Sequence, residues 1–369
     1  MTPQRTTRPA GRGLRAALAV GVLLLFLAAC GRGLPQNTFE PAGSRAERAL
    51  ELYWLVFWIA VGVFVVVEGL LVYTLIRFRR KPGRETPVQI HGNTRAEIIW
   101  TIIPAVILAG IAVPTIGTIF DFARDPEGDP MSIVVTGHQW WWEIEYPDLG
   151  IVTANELHMP VRQPVLLHLT SDELPNEVEG VSPVPVIHSF WVPRLSGKQD
   201  LVPGRTHLLP LDAQEPGVYE GQCAEFCGIS HAMMRFQVVA EPREEFDAWV
   251  EAQRAGATAP AAGTLAAEGA ELFQSFSTPA GGGSCMACHG LRGVEGAEAR
   301  VAPDLTMFGA RRRLGSGVFQ NTEENLRQWL RDPRAMKPGA FMPDYGLSRD
   351  QVEALAAYLR SLDGGAPVP

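Results

Sequence analysis

The sequence lacks any surplus of basic residues: across 369 positions, 32 Lys and Arg stand against 40 Asp and Glu, a formal net charge of −8. With no basic field to release counterions from phosphates, the composition argues against a nucleic-acid partner, and the acidity suits a basic protein instead. Cysteine is scarce, at five residues, and four of the five fall into two tight pairs, Cys223/Cys227 and Cys285/Cys288. Such pairing points to cofactor chemistry before a disulfide framework. No internal repeat is apparent. The chain is too long for one ordinary domain, so two soluble domains beside membrane segments are expected.

Long apolar runs fill the first third. Arg12 and Arg15 precede an uncharged run from Ala16 that closes on Leu27-Ala28-Ala29-Cys30. That order predicts an export signal over residues 1–29, of lipoprotein type, with Cys30 lipidated as the mature N-terminus; an ordinary signal or an uncleaved membrane helix competes. Stretches at about 52–76 and 98–120 are each long enough to cross a bilayer, which takes about 20 apolar residues. They predict a membrane hairpin over 45–122. Arg77, Arg79, Arg80, Lys81, Arg84 and Arg95 crowd the loop between them. A short loop so basic belongs in the cytoplasm, which puts everything after Phe120 on the outer face of a bacterial plasma membrane.

Residues 130–252 carry short β-rich runs broken by Pro and Gly, such as Ser132-Ile133-Val134-Val135, and close on a helix near 244–252. A β-sandwich or Greek-key barrel follows from that pattern. An Ala/Gly/Thr/Pro stretch at 253–263 reads as a flexible linker. Over 264–363 the pattern turns helical, with amphipathic segments at 265–276, 322–331 and 348–362, so the last hundred residues form a second, small, mostly α domain.

The string Cys223-Ala224-Glu225-Phe226-Cys227-Gly228-Ile229-Ser230-His231-Ala232-Met233-Met234 sets two thiols, an imidazole and a thioether on one loop. Soft sulfur with imidazole selects copper, and Met as a weak extra ligand is a feature of electron-transfer copper. His188 is the best source of a second imidazole. A closed Cys2His2 zinc site made of Cys223, Cys227, His231 and His188 is the competing reading. Farther on, Cys285-Met286-Ala287-Cys288-His289 is the attachment signature of c-type haem, two thiols for thioether bonds and a histidine for the iron. A thioredoxin-like dithiol would need a βαβ context that the flanking helices do not provide. Met342, in Phe341-Met342-Pro343, is the expected second iron ligand ahead of Met336 and Met307, because His/Met ligation suits a haem that only carries electrons.

His138-Gln139-Trp140-Trp141-Trp142 places three tryptophans in a row. Strand alternation sends neighbours to opposite faces, so all three cannot be core; packing is the preferred reading for Trp142, and a hydrogen-bonded structural role for His138. Glu97 stands at the mouth of the second span. Glu68 lies inside the first, where an ionisable group is costly, and is expected to pack against a partner.

Residue by residue, 45–240 resembles subunit II of cytochrome c oxidase. The haem signature, with Ala302-Pro303-Asp304-Leu305-Thr306, Asn321-Thr322-Glu323-Glu324-Asn325-Leu326 and Lys337-Pro338-Gly339, resembles the class I cytochrome c domain fused to that subunit in caa-type oxidases. The resemblance implies a multidomain membrane protein made of a two-helix transmembrane hairpin, a β-sandwich cupredoxin domain and an all-α cytochrome c domain. It implies a dinuclear copper centre, CuA, bridged by Cys223 and Cys227, with His188 and His231 as terminal ligands and Met234 and the Glu225 carbonyl as weak ones. It further implies a magnesium ligand in the Glu225 side chain at the subunit I interface, an electron input point for an external cytochrome at Trp140, and the opening of the K proton pathway at Glu97.

The work implied is electron input to a proton-pumping oxidase. Electrons from a c-type cytochrome, or a quinol–cytochrome c reductase, would pass through covalent haem c and CuA to haem a of subunit I, where oxygen is reduced to water. Subunit III and membrane lipid are further expected partners. The membrane spans offer no ligand set for haem a or copper B, so oxygen chemistry falls to a partner. A nitric oxide reductase using the same subunit is one alternative; a membrane-anchored copper-binding or assembly protein is another.

Overall fold

The structure, a computed structural model, describes residues 20–21, 33–83, 88–124, 126, 128–172, 185–275 and 284–364. Cys30 and nearly all of the expected export signal lie outside the described residues.

Two long helices come first, α1 (Ser44–Arg77) and α2 (Thr94–Phe122), of 34 and 29 residues. Side chains such as Val65, Leu75, Ile102 and Val113 stand more than half exposed along them. No part of the described chain covers these apolar faces, and both helices are long and apolar enough to cross a membrane. Asn93 caps α2 by accepting the Ala96 N–H at 3.2 Å, while the Glu97 carboxylate accepts the Asn93 N–H at 3.1 Å. The start of α1 is capped from afar. Its N-cap, Gly43, has no side chain to offer, and Asp212 accepts the Ser44 N–H at 3.1 Å and the Ser44 hydroxyl at 2.6 Å instead.

The β-domain is two five-stranded sheets face to face, a sandwich. Its strands are β1 (Met131–His138), β2 (Trp141–Tyr146), β3 (Ile151–Ala154), β4 (Glu156–Pro160), β5 (Val165–Ser171), β6 (His188–Trp191), β7 (Gln199–Leu201), β8 (His207–Leu211), β9 (Gly217–Cys223) and β10 (Arg235–Glu241). One sheet runs β3-β2-β1-β5-β8 and the other β4-β10-β9-β6-β7. Period-two patterning works as the pleat requires: Ile133 and Val135 of β1 and Val165, Leu167 and Leu169 of β5 are all buried. Trp142, Phe190 and Phe236 meet between the sheets with ring centroids 4.4–5.9 Å apart. Helix α3 (Arg243–Ala255) closes one end with Phe246 and Val250 and runs a little into the stretch expected to be linker.

The last domain holds α4 (Leu265–Ser275), the short pair β11 (Arg313–Leu314) and β12 (Phe319–Gln320), then α5 (Glu323–Arg331), α6 (Pro333–Met336) and α7 (Arg349–Ser361). Its core is built on Phe273, Leu326, Leu355 and Tyr358. Helices α4 and α7 cross at Gly269, where a Cβ would fall 2.0 Å from the Ala354 carbonyl oxygen, so only glycine permits the approach.

Candidate functional site

Cys223 ends β9 and Arg235 begins β10, and the loop between them carries the sulfur and imidazole groups. Strand β6 pairs with β9 so that Phe190 faces Cys223, which brings His188 alongside. Beneath its ring lies Gly137, where a Cβ would come 2.8 Å from the imidazole. The two sulfurs, Cys223 Sγ and Cys227 Sγ, are 3.8 Å apart, well beyond the roughly 2.05 Å of a disulfide.

Around this pair the donors sort into two ends. His188 Nδ1 at 3.8 Å and the Glu225 carbonyl oxygen at 3.2 Å lie beside Cys223 Sγ. His231 Nδ1 at 3.6 Å and Met234 Sδ at 3.8 Å lie beside Cys227 Sγ. A single tetrahedral zinc would use four ligands. Six donors arranged as two shared sulfurs with two further groups at either end fit a pair of ions, and the sulfur and imidazole content selects copper. Cys223, Cys227, His188 and Met234 are all buried, so water is kept from the site. A hydrogen bond from Cys227 holds the Cys223 thiol below its ordinary range against the desolvation of burial, with help from His188 and from the main chain at Ser189 and Glu225.

A cavity of about 230 Å³ lies at the seam between the β-domain and the α domain. Cys285, Cys288, His289 and Met342 line one side and Trp140 and Trp141 the other. His289 Nδ1 is 2.7 Å from the Pro303 carbonyl oxygen. Donation there sets the tautomer and leaves Nε2 free for a metal. Burial, the largest influence, pushes this imidazole below its ordinary value, which keeps it neutral. Burial also pushes the Cys285 thiol up to about 11 and the Cys288 thiol upward. Protonated thiols of this kind are the opposite of an exchange-active dithiol. Of Met307, Met336 and Met342, only Met342 lines the cavity. The donor set fits a haem held through Cys285 and Cys288.

Trp140 joins the two sites. Its Nε1–H donates to the Cys227 carbonyl at 3.0 Å, and its ring centroid is 5.3 Å from that of Phe341, beside Met342. All three tryptophans are buried, at 7 %, 8 % and 0 % exposure for Trp140, Trp141 and Trp142. The sequence expectation that they could not all be interior is therefore corrected. Trp142 fills the sandwich, while the α domain supplies a second cover over Trp141 and Trp140. His138 stacks on Trp141 at 4.1 Å and bonds to Asp172, in keeping with a structural role.

The cover is fastened by polar contacts. Lys337, buried at 3 % exposure, donates through Nζ to the Trp140 carbonyl at 2.6 Å and to the Ser316 hydroxyl at 2.7 Å. Ser230 donates to the Pro338 carbonyl from inside the copper loop. Arg300 reaches Glu143 at 2.5 Å and Glu145 at 2.6 Å, and the Glu156 carboxylate accepts the Arg312 N–H at 2.8 Å.

Three family models match consecutive parts of the chain: the transmembrane domain of cytochrome c oxidase subunit II over residues 35–117, its periplasmic domain over 131–241, and cytochrome c over 266–363. The chain is 40% identical over 352 residues to cytochrome c oxidase subunit 2 of Alkalihalophilus pseudofirmus, covering 94% of this chain and 96% of that one. The chain belongs to the cytochrome c oxidase subunit II family. The subunit of the same name from Bacillus sp. strain PS3 is 38% identical over 361 residues, covering 93% of this chain and 95% of that one. That from Bacillus subtilis is 33% identical over 368 residues, covering 94% and 97%.

Membership makes this a haem-copper oxidase subunit anchored in the membrane by two apolar helices, and it implies CuA copper in the β-domain and haem in the α domain. Within this subunit II, the Glu225 side chain is exposed, and Phe226 and Ile229 beside it are 74 % and 72 % exposed at the tip of the copper loop. Glu97 is exposed at the start of α2, where it serves the cap, and Glu68 faces outward from α1. Sequence reasoning missed the seam. Lys337 stood inside a quoted motif, but nothing local marks it as buried; Arg300, Glu143 and Glu156 carried no signal at all.

Proposed function

We propose that this chain is the electron-input subunit of a proton-pumping terminal oxidase, taking electrons from a c-type cytochrome and passing them inward to subunit I, where oxygen is reduced to water. The observation that carries this reading is Trp140, set between the Cys227 carbonyl and the cavity wall at Phe341. When bound, the copper pair and the haem each supply a one-electron carrier. The chain's own part is to hold them close, dry and fixed. Cys223 and Cys227 are assigned as the bridging copper ligands, His188 and His231 as terminal ligands, and Met234 and the Glu225 carbonyl as weak ones. Cys285 and Cys288 are assigned to covalent haem attachment, with His289 and Met342 on the iron.

Because Trp140 is covered by the α domain, we assign the place of an external cytochrome at this tryptophan to the chain's own haem domain. The outside donor then meets the haem domain rather than the β-domain. The Glu225 side chain, on the exposed loop tip, is proposed to meet magnesium and subunit I, with subunit III as a further partner. Glu97 is proposed as the proton-pathway mouth, both soluble domains are placed on the outer face, and Cys30 is the proposed lipid attachment. The division at 130–252, 253–263 and 264–363 belongs to the same proposal.

Metal and haem analysis with electron paramagnetic resonance on the purified complex tests the assignment. The expected result is two coppers sharing one unpaired electron in this subunit, with one covalent haem. Zinc, or a single isolated copper, would refute it. Turnover with oxygen set against turnover with nitric oxide separates an oxidase from a reductase.

A further inference from the structure

We propose that the groove between the β-domain end of the hairpin and the β-domain itself binds the phosphate of an anionic phospholipid headgroup. The groove encloses about 480 Å³, and among the described residues its charged lining is Arg45, Arg48, Arg124 and Arg162 against Asp121 and Asp212.

Both aspartates are already engaged. Asp212 caps α1 through the Ser44 N–H and hydroxyl. Asp121 pairs with Arg124 at 3.2 Å and more loosely with Arg48 at 3.8 Å. Arg45 instead spends its N–H groups on main-chain oxygens, donating to Phe122 at 2.8 Å and Arg124 at 3.3 Å, with its guanidinium 5.1 Å from the Phe122 ring. Arg162 donates through Nε to the Gln214 carbonyl at 3.3 Å. Neither Arg45 nor Arg162 forms an ion pair with a carboxylate among the described residues. Among the described residues these two guanidinium groups thus lie in the groove without a carboxylate at ion-pair distance, Asp212 attracting Arg45 only from farther off. A guanidinium fork is the side chain best shaped for phosphate oxygens.

Depth selects the source of that phosphate. Arg45 and Arg48 lie one to two helical turns before the apolar run that opens near Leu52, and Arg124 lies about one turn past Phe120. At about 1.5 Å per residue this sets them roughly 6–10 Å beyond the hydrocarbon edge, the zone in which a bilayer of about 30 Å apolar thickness carries its headgroups. Tyr53, Trp54 and Trp58, which stack along α1 just beyond, form the aromatic belt expected at such a boundary. Arginines at this end also run against the usual bias. Arg77, Arg79, Arg80 and Lys81 cluster at the opposite end of the hairpin, where basic residues are ordinarily retained. Four arginines against two aspartates among the described lining residues favour an anion at this end, and the lipid surface supplies one within reach.

The test uses the purified oxidase complex in detergent, with native mass spectrometry to count bound lipid. Wild type is compared with Arg45→Gln/Arg162→Gln and with Arg45→Lys/Arg162→Lys. Each is offered dioleoylphosphatidylglycerol, dioleoylphosphatidylcholine or inorganic phosphate, and copper and haem spectra report folding independently. Wild type is expected to retain one phosphatidylglycerol more than the glutamine variant, the lysine variant to retain it partly, and phosphatidylcholine to be kept by none. Equal phosphatidylglycerol counts in wild type and glutamine variant would overturn the proposal. So would displacement of the lipid by inorganic phosphate, which would make the groove a soluble-anion site. Loss of a partner subunit from the glutamine variant at unchanged lipid count would assign the arginines to a partner's carboxylates, and would overturn it too.

Discussion

Lys337 and Trp140 are joined across the domain seam: the ammonium of one donates to the carbonyl oxygen of the other at 2.6 Å, with Ser316 as its second partner. Lys337→Met removes both bonds and leaves the Ser316 hydroxyl, at 2.6 Å, as the remaining donor to the Trp140 carbonyl, at a cost to docking of about 1–3 kcal/mol. Burial, opposed by attraction to Cys227, lowers the lysine from 10.5 to about 7. Between those values the unfolded chain holds a proton that the folded chain has released, so stability rises with pH across that window, by at most about 1.4 kcal/mol per unit. Thermal melts from pH 7 to 10 should show this rise in wild type and lose it in Lys337→Met; parallel curves would contradict it.

Trp140→Phe keeps an aromatic ring at the seam but removes the N–H that meets the Cys227 carbonyl at 3.0 Å. We expect flash-induced electron transfer from the haem domain to copper to slow, and Trp140→Ala to slow it further, while copper and haem contents stay near wild type. An unchanged rate in both variants would remove Trp140 from the path. The alanine variant is also expected to lose about 3–5 kcal/mol of stability, the usual cost of truncating a buried tryptophan.

Met342→Leu preserves volume, so the fold should survive at a cost under about 1.5 kcal/mol. If Met342 holds the iron as proposed, loss of the thioether would open a coordination position and lower the haem potential. Redox titration should show the drop, and carbon monoxide, excluded from wild type, should bind. Retention of the wild-type potential would instead return Met307 or Met336 to consideration.

His158 offers a second pH test. It stacks on Trp249 at 4.4 Å, and its ring nitrogens face Glu241 at 3.2 Å and Glu156 at 3.9 Å. Burial pulls its pKa down, but the two carboxylates together outweigh that and raise it above the ordinary 6.5. A raised histidine contributes stability that is complete below the unfolded value and fades as pH climbs through the folded one. His158→Gln should therefore cost most below pH 6.5, about 1–3 kcal/mol, and progressively less above it. Equal losses at pH 5.5 and 8.5 in denaturant melts would contradict this.

The spans, the strand-rich middle and the haem signature were legible because each is written in local pattern: apolar length, alternation, or cysteines two residues apart. The copper loop was legible for the same reason, since five of its six donors fall between Cys223 and Met234, and only His188 had to be found elsewhere. The seam was not. Trp140 is separated in sequence by nearly 200 positions from the lysine that bonds it. Alternation could describe one sheet but not a second domain laid over it, so the burial of Trp140 and Trp141 went unread. Glu156 looks like an ordinary strand residue until it is seen taking main-chain N–H groups from Arg312 and Arg313.

On the proposed path from haem domain to copper, the enclosure of Trp140 changes what kind of event the last soluble hand-over would be. The α domain follows α3 after only a short connecting stretch, so its approach is closure of a tether and not a collision. Short tethers of this kind confer effective concentrations in the millimolar range, whatever the dilution outside. Added salt or a thin pool of mobile carriers would then slow the arrival of a donor, a step between separate molecules, and leave the internal step at its own pace.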